Sequence, residues 1–274
     1  MPKLASSIRL VVVIAAFGAG LLAAPSRAED PPPEAGNGIG GFVAAGAAVV
    51  PEYEGASDYE PVPLVLGQLD ALGLRLEVEG LNARLNLLPE APFQFGPAAG
   101  YRPGRDDVTD DSVDRLSAVD DAIEVGGFLR YRFDGLFDAA DALELGAEVL
   151  ADVSGAHDGL TAALSVGYAL PLGQRWRLAL DTQATLASDD YMRTYFGIDA
   201  ADAARSGLRV DDTDAGLKDV GVGVTLGYSF TERWGVLGRV AYTRLVGDAA
   251  DSPIVDDAGT PDQLFGGLAV SFRF

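Results

Sequence analysis

Hydrophobic residues alternate with small or polar residues over long stretches of this chain. In the segment VGVGVTLGYSF, residues 220–230, the even-numbered positions are apolar or aromatic, and the odd-numbered positions are glycine, threonine or serine. The same period of two recurs in residues 160–170 and 176–180. Because successive side chains of a β-strand point to opposite faces, each segment is predicted to be a strand with one apolar face.

The second face of these strands carries glycine, alanine, serine and occasional charged residues, whereas a soluble sheet carries lysine, glutamate and threonine there. This combination favours lipid outside and a crowded polar lumen inside. We therefore predict an all-β fold, a transmembrane antiparallel up-and-down β-barrel of about 12 strands. The alternation is least regular in the first two of the predicted strands, which cover residues 39–50, 59–69, 72–79, 81–88, 93–102, 122–133, 142–153, 160–170, 176–187, 217–230, 234–246 and 263–274.

The lengths of the connections agree with this prediction. Outer-membrane barrels have short turns on the periplasmic side and longer loops outside. Brief connections follow the even-numbered strands, near residue 70 and at residues 89–92, 134–141, 171–175 and 231–233. Four odd-numbered strands are followed by longer or strongly polar connections, at residues 51–58, 103–121, 188–216 and 247–262, and residues 79–80 and 154–159 are exceptions.

Aromatic residues provide a further indication. They gather at strand ends beside the short turns, where an interfacial girdle is expected. The chain ends in GLAVSFRF, and we predict that Phe274 faces outward at the end of a closing strand that pairs with the first strand. The spacing of Phe272 and Phe274 resembles the C-terminal assembly signal of outer-membrane barrels, although Ala269 stands where glycine is common.

The N-terminus resembles an export signal. Lys3 and Arg9 precede or flank the apolar run of residues 10–24, and small residues precede Glu29. The predicted organisation is a cleavable signal peptide at residues 1–28, a periplasmic N-terminal segment at residues 29–38 and the barrel at residues 39–274. The chain has no cysteine, which excludes disulfides and thiolate metal sites, and its formal net charge of −21 disfavours a nucleic-acid partner.

Several blocks carry a family resemblance. They are PEYEGASDY (51–59), DYMRTYFGIDAADAARSGL (190–208), AGLKD (215–219), RLVGDAADSPIV (244–255) and the terminal strand. In these blocks the chain resembles the MipA/OmpV family of outer-membrane proteins. The resemblance implies a cell outer membrane location among lipid and lipopolysaccharide. It also implies, for some members, a scaffold that holds a lytic transglycosylase near a murein synthase; other members are associated with adhesion or stress.

Candidate catalytic residues are sparse, and no cofactor is predicted. Ser154, His157 and Asp158 contain the elements of a nucleophile, a base and an orienting acid, but they lie within five residues on a short external loop. Catalytic groups need a preorganised scaffold, so we expect these three to be solvated loop residues and the protein not to be an enzyme.

Two loops are rich in aspartate, with hard oxygen ligands that suit calcium or magnesium. Neither has the full spacing of a calcium loop, so solvated, mutually repelling carboxylates are expected and no metal site is predicted. Weak divalent bridging to lipopolysaccharide phosphates is the alternative. The residues concerned are Asp106, Asp107, Asp110 and Asp111 in one loop, and Asp211, Asp212 and Asp214 in the other.

Charges of both signs fall on the predicted lumen face. They either pair and plug the barrel or line a narrow pore, and the inward positions of Phe128 and Phe265 favour the plugged interpretation. The charged lumen positions are Arg75, Glu77, Arg84, Glu124, Arg130, Arg132, Glu144, Glu148, Arg177, Asp181, Asp219 and Arg239.

The longest external loop is predicted to contain a short helix. Asp199 would cap its start and Gly207 would end it. Tyr195 and Phe196 would pack this helix down as a lid over the mouth of the barrel. The lid is either a recognition surface or a loop folded for its own stability.

On the periplasmic side, the longest of the brief connections, residues 134–141, contains Leu136 and Phe137 between aspartates. These two residues are a candidate docking site. The alternative is that both continue the aromatic girdle. The function favoured by the sequence is a scaffold for murein-remodelling enzymes, with a narrow porin-like channel and an adhesion or stress role as alternatives.

Overall fold

The computed structural model describes residues 39–274, which form a closed antiparallel barrel. The predicted barrel is confirmed, and strand ends lie within two residues of their predicted positions. The predicted signal peptide (residues 1–28) and N-terminal segment (29–38) lie outside the described residues. The strands are β1 (Gly40–Pro51), β2 (Tyr59–Ala71), β3 (Leu74–Glu79), β4 (Asn82–Asn86), β5 (Phe93–Arg102), β6 (Ala122–Asp134), β7 (Ala142–Asp152), β8 (Leu160–Leu172), β9 (Trp176–Ala187), β10 (Gly216–Ser229), β11 (Trp234–Leu245) and β12 (Asp262–Arg273).

Short helices occupy the long external connections. No helix within residues 39–274 is long and apolar enough to cross a membrane. The helices are α1 (Asp111–Asp114) after β5, α2 (Asp189–Phe196) and α3 (Ala200–Ser206) after β9, and α4 (Asp248–Asp251) and α5 (Pro253–Asp256) after β11.

The barrel closes between its first and last strands. β1 and β12 pair from Phe42 with Arg273 to Val49 with Gly266. Beyond the last paired residue of β12, the backbone N–H of Phe274 donates to Gly41 O at 3.1 Å, and Gly41 N donates back to Phe274 O at 3.3 Å. This closure pairs the two terminal strands instead of leaving their edges in lipid.

The two faces of the wall differ as the alternation predicts. On β10, Val220, Val222, Val224 and Leu226 are 39–57% exposed and face outward, whereas Thr225 is 5% exposed and faces the lumen. Aromatic rings contact one another around the periplasmic rim, and such an interfacial girdle is typical of membrane barrels. The contacting pairs are Phe93 with Phe95, Tyr131 with Phe133, Trp176 with Tyr228, Tyr228 with Phe230, and Trp234 with Phe272.

The first two strands alternate poorly because they are apolar on both faces. Val43 and Val49 of β1 are exposed outward, while its inward side chains pack with those of β2 and with Phe265 of β12. This apolar cluster fills one side of the lumen. Its buried members are Phe42, Ala44, Ala48, Val50, Val62, Leu64 and Ala269.

One hairpin of the wall is short. β3 and β4 have six and five residues, fewer than the ~9–11 that a transmembrane strand needs, so β2 pairs with β3 only from Leu66 onward. At the hairpin tip, Val65 O accepts the N–H of Gly80, so the backbone polar groups of Val65 face the β3 side of β2. The backbone groups of residues 61 and 63 face the same side, beyond the point where the pairing with β3 ends. Both positions are proline, which leaves no N–H without a partner.

Candidate functional site

Ion pairs occupy much of the lumen outside the apolar cluster. These side chains point inward from β3, β4, β6, β7, β9 and β11 and are largely buried. Pairing between strands explains how the barrel holds so many charges, because a buried charge is tolerated when a partner compensates it. The pairs are Arg130–Glu77 at 2.9 Å, Arg132–Glu144 at 2.8 Å, Arg84–Glu148 at 2.5 Å and Arg239–Asp181 at 2.7 Å.

A second group of charges lies at the external end of the lumen, and we call it the upper charge cluster: Glu54, Arg102, Glu124, Lys218 and Asp219. Arg102 bonds both oxygens of Glu124 at 3.2 Å and reaches Glu54 at 3.2 Å. Lys218 bonds Glu54 and Asp219 at 2.8 Å each. Burial by itself raises the pKa of a carboxyl group, but Lys218 and Arg102 lower the pKa of Glu54 to about 2.

The four long external loops fold together above this cluster into what we call the loop cap, residues 52–58, 103–121, 188–215 and 246–261. Two apolar clusters hold it together, and each draws on more than two of the loops. One contains Val119, Ala187, Tyr191, Met192, Tyr195, Phe196, Leu245, Ala249 and Val255, and the other contains Tyr53, Ala56, Val113, Leu116, Ile198 and Ile254.

The predicted lid residues lie in this cap. The Asp199 carboxylate accepts the N–H of Asp202 at 2.7 Å at the start of α3, and Gly207 ends that helix with φ of +84°. Tyr195 and Phe196 are buried at the end of α2, a helix that the sequence analysis missed. Their carbonyl groups accept hydrogen bonds from Arg105 at 2.7 Å and from Ser252 at 2.6 Å, respectively.

His157 corrects an expectation. Its side chain is fully buried, so the interpretation of a solvated loop residue was wrong. Nε2 lies 3.2 Å from Glu124 Oε1, Nδ1 accepts the N–H of Gly159 at 3.1 Å, and the ring packs edge-on against Tyr191 at 5.1 Å. The imidazole is therefore a link between a short loop, the upper charge cluster and the loop cap, and the loop-to-cap contact explains its burial.

The other two members of the candidate catalytic trio have separate partners. Ser154 Oγ donates to Asp152 at 2.6 Å and accepts the N–H of Ile123, and Asp158 donates its N–H to Asp152. Asp152 also accepts the backbone N–H of His157 at 2.7 Å and so holds the loop together, while the His157 ring bonds Glu124 and Gly159. The arrangement does not bring the serine hydroxyl onto the histidine as acyl-transfer chemistry requires.

The aspartate-rich loops have structural partners. Asp110 caps α1 by accepting the N–H groups of Ser112 and Val113, and the Asp248 carboxylate accepts the N–H of Asp214. The backbone of Asp211 bridges to Ile198. Within residues 39–274, no group of three or more histidine, aspartate or glutamate side chains is arranged to hold a metal ion.

The predicted docking turn is held by one carboxylate. Asp141 accepts the N–H groups of Leu136, Phe137 and Asp138 at 2.7–3.0 Å and the hydroxyl of Tyr168 at 2.6 Å. Leu136 is 48% exposed and Phe137 is 84% exposed, and the Phe137 ring packs edge-on against Tyr168. The turn therefore presents an exposed aromatic residue in a fixed position.

Comparison with known proteins decides the family. The family model described as MltA-interacting protein MipA matches residues 43–274. The chain belongs to this family. It is 24% identical over 225 residues to the MltA-interacting protein of Escherichia coli K12 and, equally, to that of Shigella flexneri, covering 79% of this chain and 84% of each relative.

Solved structures resemble this family member more distantly. The NanC porin has a TM-score of 0.43 at 10% identity and covers 86% of this chain and 98% of its own. The COG4313 outer membrane channel from Pseudomonas putida F1 has a TM-score of 0.42 at 14% identity, and the match covers 90% of this chain and 100% of the channel. With its closed barrel, outward apolar belt and aromatic rim, this member of the family is an outer-membrane protein.

Proposed function

We propose that this barrel is a non-enzymatic scaffold that holds a lytic transglycosylase near a murein synthase at the periplasmic face of the outer membrane. The observation that carries the proposal is that ion pairs and an apolar cluster occupy the lumen and that the loop cap covers its external end. With the interior occupied, the function falls to the surfaces of the barrel. The relatives are named as proteins that interact with MltA. We extend this interaction to the present barrel as a scaffold role.

Within residues 39–274, a periplasmic enzyme reaches the barrel at its short turns. Among the turns, the one at residues 135–141 presents Leu136 and Phe137. Asp141 fixes the turn, so little conformational entropy is lost when a partner covers it. An exposed aromatic anchor beside an aliphatic residue is a suitable centre for a small interface.

The test is the double variant Leu136→Ser/Phe137→Ser. It should assemble normally, because neither side chain is in the lumen, but it should retain about tenfold less lytic transglycosylase in cross-linked envelope complexes. Leu72→Ser is the matched control, since Leu72 is 84% exposed in another short turn. Co-purification that is unchanged in the double variant would refute this docking surface and support a role for the pair in the aromatic girdle.

A further inference from the structure

Within residues 39–274, every positive side chain that points into the lumen has a carboxylate partner, with two exceptions. The exceptions are Arg177 of β9 and Arg273 of β12, neither of which forms an ion pair with any residue in the range 39–274. The paired cations are Arg75 with Asp70, Arg84 with Glu148, Arg102 with Glu124, Arg130 with Glu77, Arg132 with Glu144, Lys218 with Asp219, and Arg239 with Asp181.

The two unpaired arginines occupy the periplasmic mouth of the lumen. Arg177 is the second residue of β9 and Arg273 is the last residue of β12. Each lies on the inward face of its strand, as the alternation with the buried Ala179 and Ala269 requires. Among residues 39–274, the charged side chains that act most on Arg177 are Arg273 and Arg132, and both are positive.

Arg177 is partly buried and has no negative partner within residues 39–274, so a ligand that brings negative charge would stabilise it. The whole chain has a net charge of −21, so a general excess of basic residues does not explain the cluster. A guanidinium group binds a carboxylate through two parallel hydrogen bonds, which makes a carboxylate its natural partner.

The ligand has to approach from the periplasm, because paired charges and the loop cap fill the lumen above the mouth. On that side of the membrane, the murein sacculus presents many carboxylates on a polymer too large to enter the barrel. We propose that Arg177 and Arg273 bind carboxylate groups of murein stem peptides at the periplasmic mouth. The inference rests on the proposed function, since it places the polymer next to the enzymes that the barrel would hold.

The test titrates the barrel, residues 29–274 in lipid nanodiscs, with purified disaccharide tetrapeptide muropeptides. Arg177→Gln/Arg273→Gln should bind about tenfold more weakly or worse, because two charge-assisted contacts are removed. Arg175→Gln is the matched control, as it removes the same charge from an exposed position in the adjacent turn and should bind normally. Arg177→Gln alone should raise the melting temperature of the free barrel, because it relieves repulsion.

Equal binding by the double variant and the unchanged barrel would overturn the proposal. Muropeptides whose carboxylates have been amidated would also overturn it if they bound as tightly as the unmodified muropeptides. A third contrary result is binding that appears only after removal of residues 29–38, which include Glu29, Asp30 and Glu34. Tighter binding of an acidic polypeptide such as polyglutamate than of the muropeptide would also overturn it. The titration contains no murein enzyme, so its failure is distinct from failure of the enzyme co-purification.

Discussion

At the scale of single residues, the buried His157 has the clearest consequence. His157→Ala removes the contact with Glu124 and the packing against Tyr191, and it leaves the N–H of Gly159 without its acceptor. We expect the free energy of opening the loop cap to fall by about 1–3 kcal/mol, the usual cost of leaving buried polar groups unpaired. Hydrogen exchange of the cap helices in the folded barrel measures this change.

Asp158→Asn is the matched control for that variant. Asp158 lies in the same loop and is exposed, with φ of +52°, a conformation that asparagine also adopts readily. Its substitution should leave exchange in the cap unchanged. Equal protection of the cap in His157→Ala and Asp158→Asn would show that the histidine contributes nothing to holding the cap in place.

At the scale of elements, the closing strand carries the next prediction. Deletion of Phe274 removes both backbone hydrogen bonds with Gly41 and an aromatic side chain at the periplasmic rim. The deletion should lower the yield of folded barrel several-fold, whereas Phe274→Tyr keeps the backbone pairing and the ring and should assemble normally. Heat-modifiable gel mobility measures the folded fraction, and equal yields for the two variants would count against a role for this residue in assembly.

The sequence predicted the strands well because lipid outside and polar groups inside impose a strict period of two on most of the wall. Prediction was weakest at β1 and β2, where apolar side chains occur on both faces because an apolar cluster fills the nearby lumen. The helix α3 was recognisable from Asp199 and Gly207, whose capping chemistry is local.

Features that depend on distant contacts were missed. α2 lacks a side-chain N-cap hydrogen bond, and its buried residues pack against loops that follow β5 and β11. His157 is buried because α2 covers it, and Glu54 gains its charged partners from β5 and β10. A period-two pattern identifies a strand and its faces, but it does not state which loops meet above the barrel.

At the scale of the whole molecule, the barrel has a filled interior and two different ends. The external end is closed by the loop cap over the upper charge cluster. The periplasmic end presents the Leu136–Phe137 turn together with Arg177 and Arg273, which form no ion pair within residues 39–274. Acting through its periplasmic surface, the barrel would serve as a scaffold for enzymes, with its lumen stabilising the wall.

Planar-bilayer conductance of the purified barrel tests this central claim most directly. The ion pairs across the lumen and the apolar contacts of the cap predict that insertion produces no stepwise increase in current at moderate voltage. A porin of known conductance, reconstituted in the same bilayer, verifies that insertion events are detectable. Regular, ohmic current steps from the unmodified barrel would contradict the account and identify the protein as a channel.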